Sequence, residues 1–197
     1  MASMFWHFVR YFAGLDVAAT QTTAAEREAL AQFASGQRSL VEIGVFEGVT
    51  SGVIARAMAR DGLLWAIDPF LPGRLGICWS KAIASCELRE HRSAGRVRLV
   101  RRHSSEALSA VPGQLDFIFI DGDHALDAIR RDWTDWSPRV RADGLIALHD
   151  TRVSEHAPQV AALGSFRYFE STIRHDPRFE IVEQVDSLSV LRRRPAE

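Results

Sequence analysis

Along this chain, short apolar runs alternate with longer segments whose apolar residues recur at helical spacing. That alternation predicts βαβ units on a parallel sheet. Leu40-Val41-Glu42-Ile43 reads as a first strand ended by Gly44, and Leu63 to Ile67 as a second. Asp68-Pro69 stops the second, because proline has no N–H to donate to a ladder. Val97 to Val100 is a third strand. Phe117-Ile118-Phe119-Ile120 is apolar throughout, as expected of a central strand covered on both faces, and Leu145 to Leu148 follows it. The helices predicted among these strands run from Val53 to Ala59, Trp79 to Ala94, Ala125 to about Val140, and Val160 to Arg174.

The two ends of the chain break the alternation. Thr23-Ala24-Ala25-Glu26 has the form of a capping box opening a helix through about Ala34, with Leu30 and Phe33 inward. Upstream, Phe5, Phe8, Val9 and Phe12 share one helical face, expected to pack on the domain or on a second subunit. At the other end, Phe179 to Val185 and Leu188 to Leu191 are separated only by Asp186-Ser187, which is too short for a parallel crossover and implies a hairpin. The expected fold is α/β: a doubly wound, mostly parallel seven-stranded, Rossmann-like sheet with an antiparallel C-terminal hairpin strand. Residues 1–35 form an N-terminal helical segment and residues 36–197 the main domain.

Composition narrows the classes of partner. A chain of 197 residues suits one domain with a short appendage. Its 24 basic and 25 acidic residues give a net charge of -1, so no general attraction to nucleic acid is expected. Runs such as Arg192-Arg193-Arg194 read as solvated strand ends. Cys78 and Cys86 suggest neither a disulfide framework nor a metal site, and free thiols in a reducing cytoplasm are expected. No apolar run approaches the roughly 20 residues needed to cross a bilayer. The aromatic N-terminus, interrupted by His7 and Arg10, does not read as a signal peptide.

The chemistry collects at predicted strand ends, where open α/β sheets bind ligands. Gly44 permits a tight turn and close approach of a ligand, and Gly48 follows four residues on, before a helix. The dinucleotide pattern G-x-G-x-x-G is absent, since Val45-Phe46 stand where its second glycine would be needed. Asp68 is suited either to the hydroxyls of a ribose or to a helix cap. Ser104 and Ser105 suit an adenine edge, a helix N-cap, or both. Asp121-Gly122-Asp123-His124 follows the most apolar strand, and His149-Asp150-Thr151 the next. Neighbouring parallel strands would bring Asp121 and Asp150 to one sheet edge, where two carboxylates hold a divalent cation, share a proton, or serve as separate caps.

Taken together these residues resemble class I S-adenosylmethionine-dependent methyltransferases, in particular the small branch of macrocin-type sugar O-methyltransferases and cephalosporin hydroxylase-like proteins. Three stretches carry the resemblance: Val41 to Gly48; Ile67-Asp68-Pro69-Phe70; and Phe119 to His124, through Trp136-Ser137-Pro138, to Gly144 to Thr151. The resemblance implies that Glu42, Gly44 and Gly48 line the methionine part of S-adenosylmethionine, that Asp68 holds its ribose, and that Ser104 with Ser105 lies beside the adenine. It counts Asp121 both with these cofactor residues and, together with His149 and Asp150, as a ligand of Mg2+ or another divalent metal. Here the acidic pair of the metal-dependent relatives reads His149-Asp150, and histidine suits a hard cation poorly. The site thus binds magnesium weakly, takes a softer metal, or works without one. Asp123 matches the general base of the sugar methyltransferases, with His124 a second candidate.

The expected partner is a small-molecule acceptor, a sugar or natural product bearing a hydroxyl. Phe70 to Gly76 and Arg152 to Gly164 are the loops expected to recognise it, with Arg74 and Trp79 as candidates to face it. A second subunit or the N-terminal aromatic helix would complete the pocket. Two other readings stay open on sequence grounds: a nicotinamide-dependent (NAD) oxidoreductase on the same architecture, and a non-catalytic cofactor-binding protein.

Overall fold

The structure is a computed structural model that describes residues 2–73, 76–155 and 157–195. Arg74 and Leu75 of the first acceptor loop lie outside the described residues, as does His156 of the second.

Seven strands form one sheet: β1 Ser39–Ile43, β2 Leu63–Ile67, β3 Val97–Val100, β4 Leu115–Ile120, β5 Val140–Leu148, β6 Phe179–Val185 and β7 Leu188–Arg193. Their order is β3-β2-β1-β4-β5-β7-β6. β1 to β5 are parallel, and β7 enters antiparallel between β5 and β6. The hairpin turns at Asp186, whose φ of +49° is one that aspartate tolerates better than most residues. The order reverses between β1 and β4, so a crevice opens at the carboxyl ends of those two strands.

Two apolar layers cover the sheet. On one face Phe117 and Phe119 of β4 pack with Leu30 and Ala34 of α2 (Ala24–Ala34), Ile54 of α3 (Val49–Ala57) and Ala84 of α4 (Trp79–Glu87). On the other, Ile118 and Ile120 meet Ile129, Trp133 and Trp136 of α7 (Leu126–Trp136) and Phe169 of α8 (Gly164–Ser171). The pleat sends successive β4 residues to opposite layers, which is why its run is apolar without interruption. Truncating either buried tryptophan would cost about 3–5 kcal/mol.

Several element bounds differ from the sequence expectation, each for a local reason. α3 starts at Val49 rather than Val53, because the Thr50 and Ser51 hydroxyls of its first turn donate to the Glu42 carboxylate. The helix expected over Trp79–Ala94 divides at Leu88 into α4 and a short α5 (Arg89–Ser93). α7 ends at Trp136, because Pro138 brings a single 3-10 turn instead of further helix. β5 begins at Val140; the register to β4 then slips across Arg141 to Gly144, with Asp143 at φ +61°, before the apolar half resumes. The segment from 158 to 175 is α8 flanked by 3-10 turns at Pro158–Ala162 and Ile173–His175.

The N-terminal helix α1 (Ala2–Phe12) packs through Phe5 and Phe8 on Trp79, with ring centroids 5.5 and 4.6 Å apart. Val9 and Phe12 remain exposed. Both cysteines are free thiols. No helix among the described residues is long and apolar enough to cross a membrane.

Candidate active site

A cleft of about 560 Å3 opens at the carboxyl ends of β1, β2 and β4. Gly44, Asp68, Ser104, Ser105, Asp121, Asp123 and His124 line it. Glu42, Gly48, His149 and Asp150 are not on its wall.

The glycine turn is built by its neighbours. Gly44 N donates to the Ile67 carbonyl at 2.9 Å, and Asp121 N to the Ile43 carbonyl at 2.8 Å, which draws the ends of β1, β2 and β4 together. Gly44 has φ +91°, and a Cβ there would stand 1.9 Å from the Asp121 carbonyl oxygen. Its glycine is therefore demanded by strand β4 as much as by any ligand. Gly48, at φ +84°, starts α3, and a Cβ there would press on Ala84 at 3.2 Å. Its close contact is with α4 and not with the cleft.

Glu42 and Asp68 brace the turn from two sides. The fully buried Glu42 carboxyl takes the Thr50 hydroxyl at 2.5 Å and the Ser51 hydroxyl. Burial, with Asp121 and Asp68 adding repulsion, pushes its pKa up to about 8 against the pull of those hydroxyls. Asp68 Oδ2 accepts from Val45 N at 2.9 Å and Phe46 N at 3.1 Å, and Oδ1 from Phe70 N at 2.6 Å. A carboxylate offers about four lone-pair sites, so capacity for a ribose hydroxyl remains. Phe46 and Phe70 hold φ of +51° and +45°, a strained backbone on both sides of this carboxylate.

Ser104 is not the cap of the helix that it opens. His103 occupies that place, and the Ser104 hydroxyl donates instead to Asp132 Oδ1. The short helix α6 is Ser104–Ala107.

Asp121, His149 and Asp150 do gather at the ends of β4 and β5. The His149 Nδ1 lies 3.1 Å from Asp121 Oδ1 and 3.5 Å from Asp150 Oδ1, an ion pair rather than an aligned hydrogen bond. Its Nε2 meets Glu26 Oε2 at 3.2 Å. Burial alone would lower the imidazole, but contact with Asp121 and Glu26 outweighs it and raises the pKa to about 10. Glu26 shows the reverse: burial would raise it, and His149 with Thr23 N holds it at about 2. An imidazolium facing carboxylates on both nitrogens has no lone pair for a metal. No group of three or more metal-ligating side chains is disposed around one point among the described residues. These residues therefore do not fit a resident divalent cation.

The two candidate bases differ in their surroundings. Asp123 Oδ1 accepts from Ala125 N at 2.9 Å, an Asx turn leading into α7. His124 Nε2 stands 3.6 Å from Asp150 Oδ2, with its ring on the cleft wall. A neutral imidazole on a cleft wall offers one ring nitrogen as a proton acceptor.

The sequence reading passed over three contributors. Ala19, Thr20 and Gln21, between α1 and α2, line the cleft. That strap is pinned where Ala19 N donates to Glu47 Oε2 at 2.5 Å and His7 bridges Glu47 and Asp16 at 3.0 Å each. Glu26 was legible only as a cap residue. Asp132 carried a usable signal, because it interrupts the apolar stripe Ile129, Trp133, Trp136. Trp79, a candidate to face an acceptor, packs against Phe5 and Phe8 of α1 and is not on the cleft wall.

Comparison with known proteins agrees with this geometry. The sequence pattern of a family described as "Methyltransferase domain" matches residues 41–151. An uncharacterised protein of Sinorhizobium fredii, y4gI, is 25% identical over 124 residues, which are 60% of this chain. The chain spans about 14% of the length of that curated relative. Among solved structures, an O-methyltransferase of Bacillus cereus in complex with SAH is 18% identical, with a TM-score of 0.66. The match covers 97% of this chain and 91% of that one. The O-methyltransferase TomG of Streptomyces achromogenes, in complex with SAM and involved in tomaymycin synthesis, is 19% identical, with a TM-score of 0.64. That match covers 99% and 100% of the two chains. At these identities the two structures share the fold.

Proposed function

Because this chain belongs to the methyltransferase-domain family, a family of S-adenosylmethionine-dependent enzymes, we propose that it methylates the hydroxyl of a small-molecule acceptor, a sugar or natural product. The observation that carries the reading is His124 on the wall of the cleft at the switch point of the sheet, its Nε2 3.6 Å from Asp150 Oδ2.

The residues fit the cofactor. Gly44 lines the cleft beside Asp121, Asp68 retains acceptor capacity for ribose hydroxyls, and Ser104 and Ser105 flank the side assigned to the adenine. S-adenosylmethionine supplies an electrophilic methyl on a sulfonium sulfur. With Nε2 turned to Asp150, His124 presents Nδ1 as the base that takes the acceptor's proton while the oxygen–carbon bond forms and the carbon–sulfur bond breaks. Such a positioned base is worth roughly 100- to 10,000-fold in rate. Asp123, tied into its Asx turn, holds the entry to α7 beside it. The buried imidazolium of His149 sets a fixed positive charge behind Asp121 and Asp150, and no step here uses a metal.

Calorimetric titration with S-adenosylhomocysteine, beside NAD as control, tests the cofactor assignment. Saturable binding of the former alone is expected. Binding of NAD, or of neither by folded protein, would overturn it. A screen of hydroxylated sugars and natural products then tests the acceptor class.

A further inference from the structure

Asp132, on the cleft wall, has no part in that chemistry. Asp132 lies on the core-facing stripe of α7 between Ile129 and Trp133, and is 5% exposed. A carboxylate placed so deep needs polar partners to offset its lost hydration. It has one: Oδ1 accepts the Ser104 hydroxyl. Oδ2 lies along the Gly122 backbone, where a Cβ would approach it at 3.5 Å, and takes no hydrogen bond among the described residues. Ser104, Ser105, Gly122 and Asp132 all line the cleft, with Ser104 bonded to Asp132 and Gly122 beside its Oδ2. An anchored carboxylate with one free oxygen turned into a pocket is a receptor for an N–H donor.

We infer that Asp132 reads the base of the cofactor: Oδ2 accepts the exocyclic amine of adenine, while Ser104 fixes the carboxylate. The inference rests on the cofactor assignment proposed above. Burial first, then repulsion from Asp135 and Asp123, pushes the Asp132 carboxyl up to about 6, against the pull of Ser104 and Arg131. At pH 8 it is ionised and accepts only. A base carrying a 6-oxo group instead of an amine would set its oxygen against that carboxylate where adenine donates, and its N1–H lies one ring position away, so the base must shift to pair. Sites built this way reject the mismatched analogue far more strongly than apolar pockets do.

The test is the ratio of affinities for S-adenosylhomocysteine and its hypoxanthine counterpart, S-inosylhomocysteine, measured by calorimetry at pH 8. The unmodified protein is expected to prefer the adenine compound by roughly 100-fold or more. In Asp132→Asn the amide oxygen still accepts from Ser104 and the amide N–H2 faces the cleft, so the preference should fall at least tenfold or invert. A purely structural Asp132 would weaken both ligands alike, and an unchanged ratio would overturn the inference. Should the variant not fold, the unmodified protein decides: its ratio should collapse between pH 8 and pH 5 as Asp132, facing Arg131, Asp135 and Asp123, takes up a proton and becomes a donor. A ratio flat across that range, or equal affinity for the two compounds at pH 8, sinks this inference and leaves the cofactor assignment standing. Binding of neither compound sinks both.

Discussion

Glu26 and His149, separated by 123 positions in sequence, meet carboxylate to imidazole at 3.2 Å with both side chains sealed from solvent. The same carboxylate takes Thr23 N at 2.8 Å, Ser187 N at 2.9 Å and the Ser187 hydroxyl at 2.7 Å. One group thus joins the start of α2, the turn of the β6–β7 hairpin and the end of β5.

The pair makes stability depend on pH from both sides. His149, raised to about 10 from an ordinary 6.5, stabilises fully below pH 6.5, and that part is lost as pH climbs through 10. Glu26, lowered to about 2 from 4.5, stabilises fully above pH 4.5, and that part is lost as pH falls toward 2. Glu26→Gln should therefore cost about 3 kcal/mol at pH 6, as for breaking a buried ion pair, and much less at pH 10.5. Urea denaturation at the two pH values measures the gap. An equal loss at both would mean that the pair carries no charge.

Gly44→Ala is expected to lose at least about 2 kcal/mol and most of its affinity for S-adenosylhomocysteine. Its Cβ meets the Asp121 carbonyl at 1.9 Å on a backbone already at φ +91°. Relief requires the end of β4 to shift, and that end carries Asp121, Asp123 and His124. Denaturation and calorimetry on one preparation would read both losses.

With an acceptor in hand, His124→Ala should lower kcat at least 100-fold and leave S-adenosylhomocysteine affinity within about threefold. Asp123→Asn keeps an oxygen for Ala125 N, so a loss of tenfold or less is expected. The opposite ranking in steady-state rates would move the base to Asp123.

Exhaustive chelation should leave both turnover and cofactor affinity unchanged, because His149 has no free lone pair to offer. Activity lost on chelation and restored by magnesium would return the cation to Asp121 and Asp150.

The sheet was legible because its signals are local. Apolar runs at Leu40, Leu63, Val97, Phe117 and Leu145 each found a strand, and the two-residue gap at Asp186-Ser187 found the hairpin. Bounds failed where the deciding interaction lay elsewhere in the chain: the polar first turn of α3 is helical because Glu42, a strand away, takes its hydroxyls. The strand-end motifs pointed to Gly44, Asp68, Ser104, Ser105, Asp121, Asp123 and His124, which line one cleft. What they could not convey was direction, and so Glu42 and His149 point into the protein rather than into the cleft. The partner that turns His149 inward, Glu26, sits in a segment whose local pattern is already satisfied as a capping box.

Ser187 comes 161 positions after Glu26. At a synthesis rate of about 5–20 residues per second, the ribosome delivers it roughly 8–30 s later. Throughout that interval the Glu26 carboxylate has no hairpin turn to enter, and the outer edge of β5, once made, has no β7 beside it. The nascent chain thus carries an open strand edge and a hydrated acid until Ser187 and β7 emerge, which close the two together.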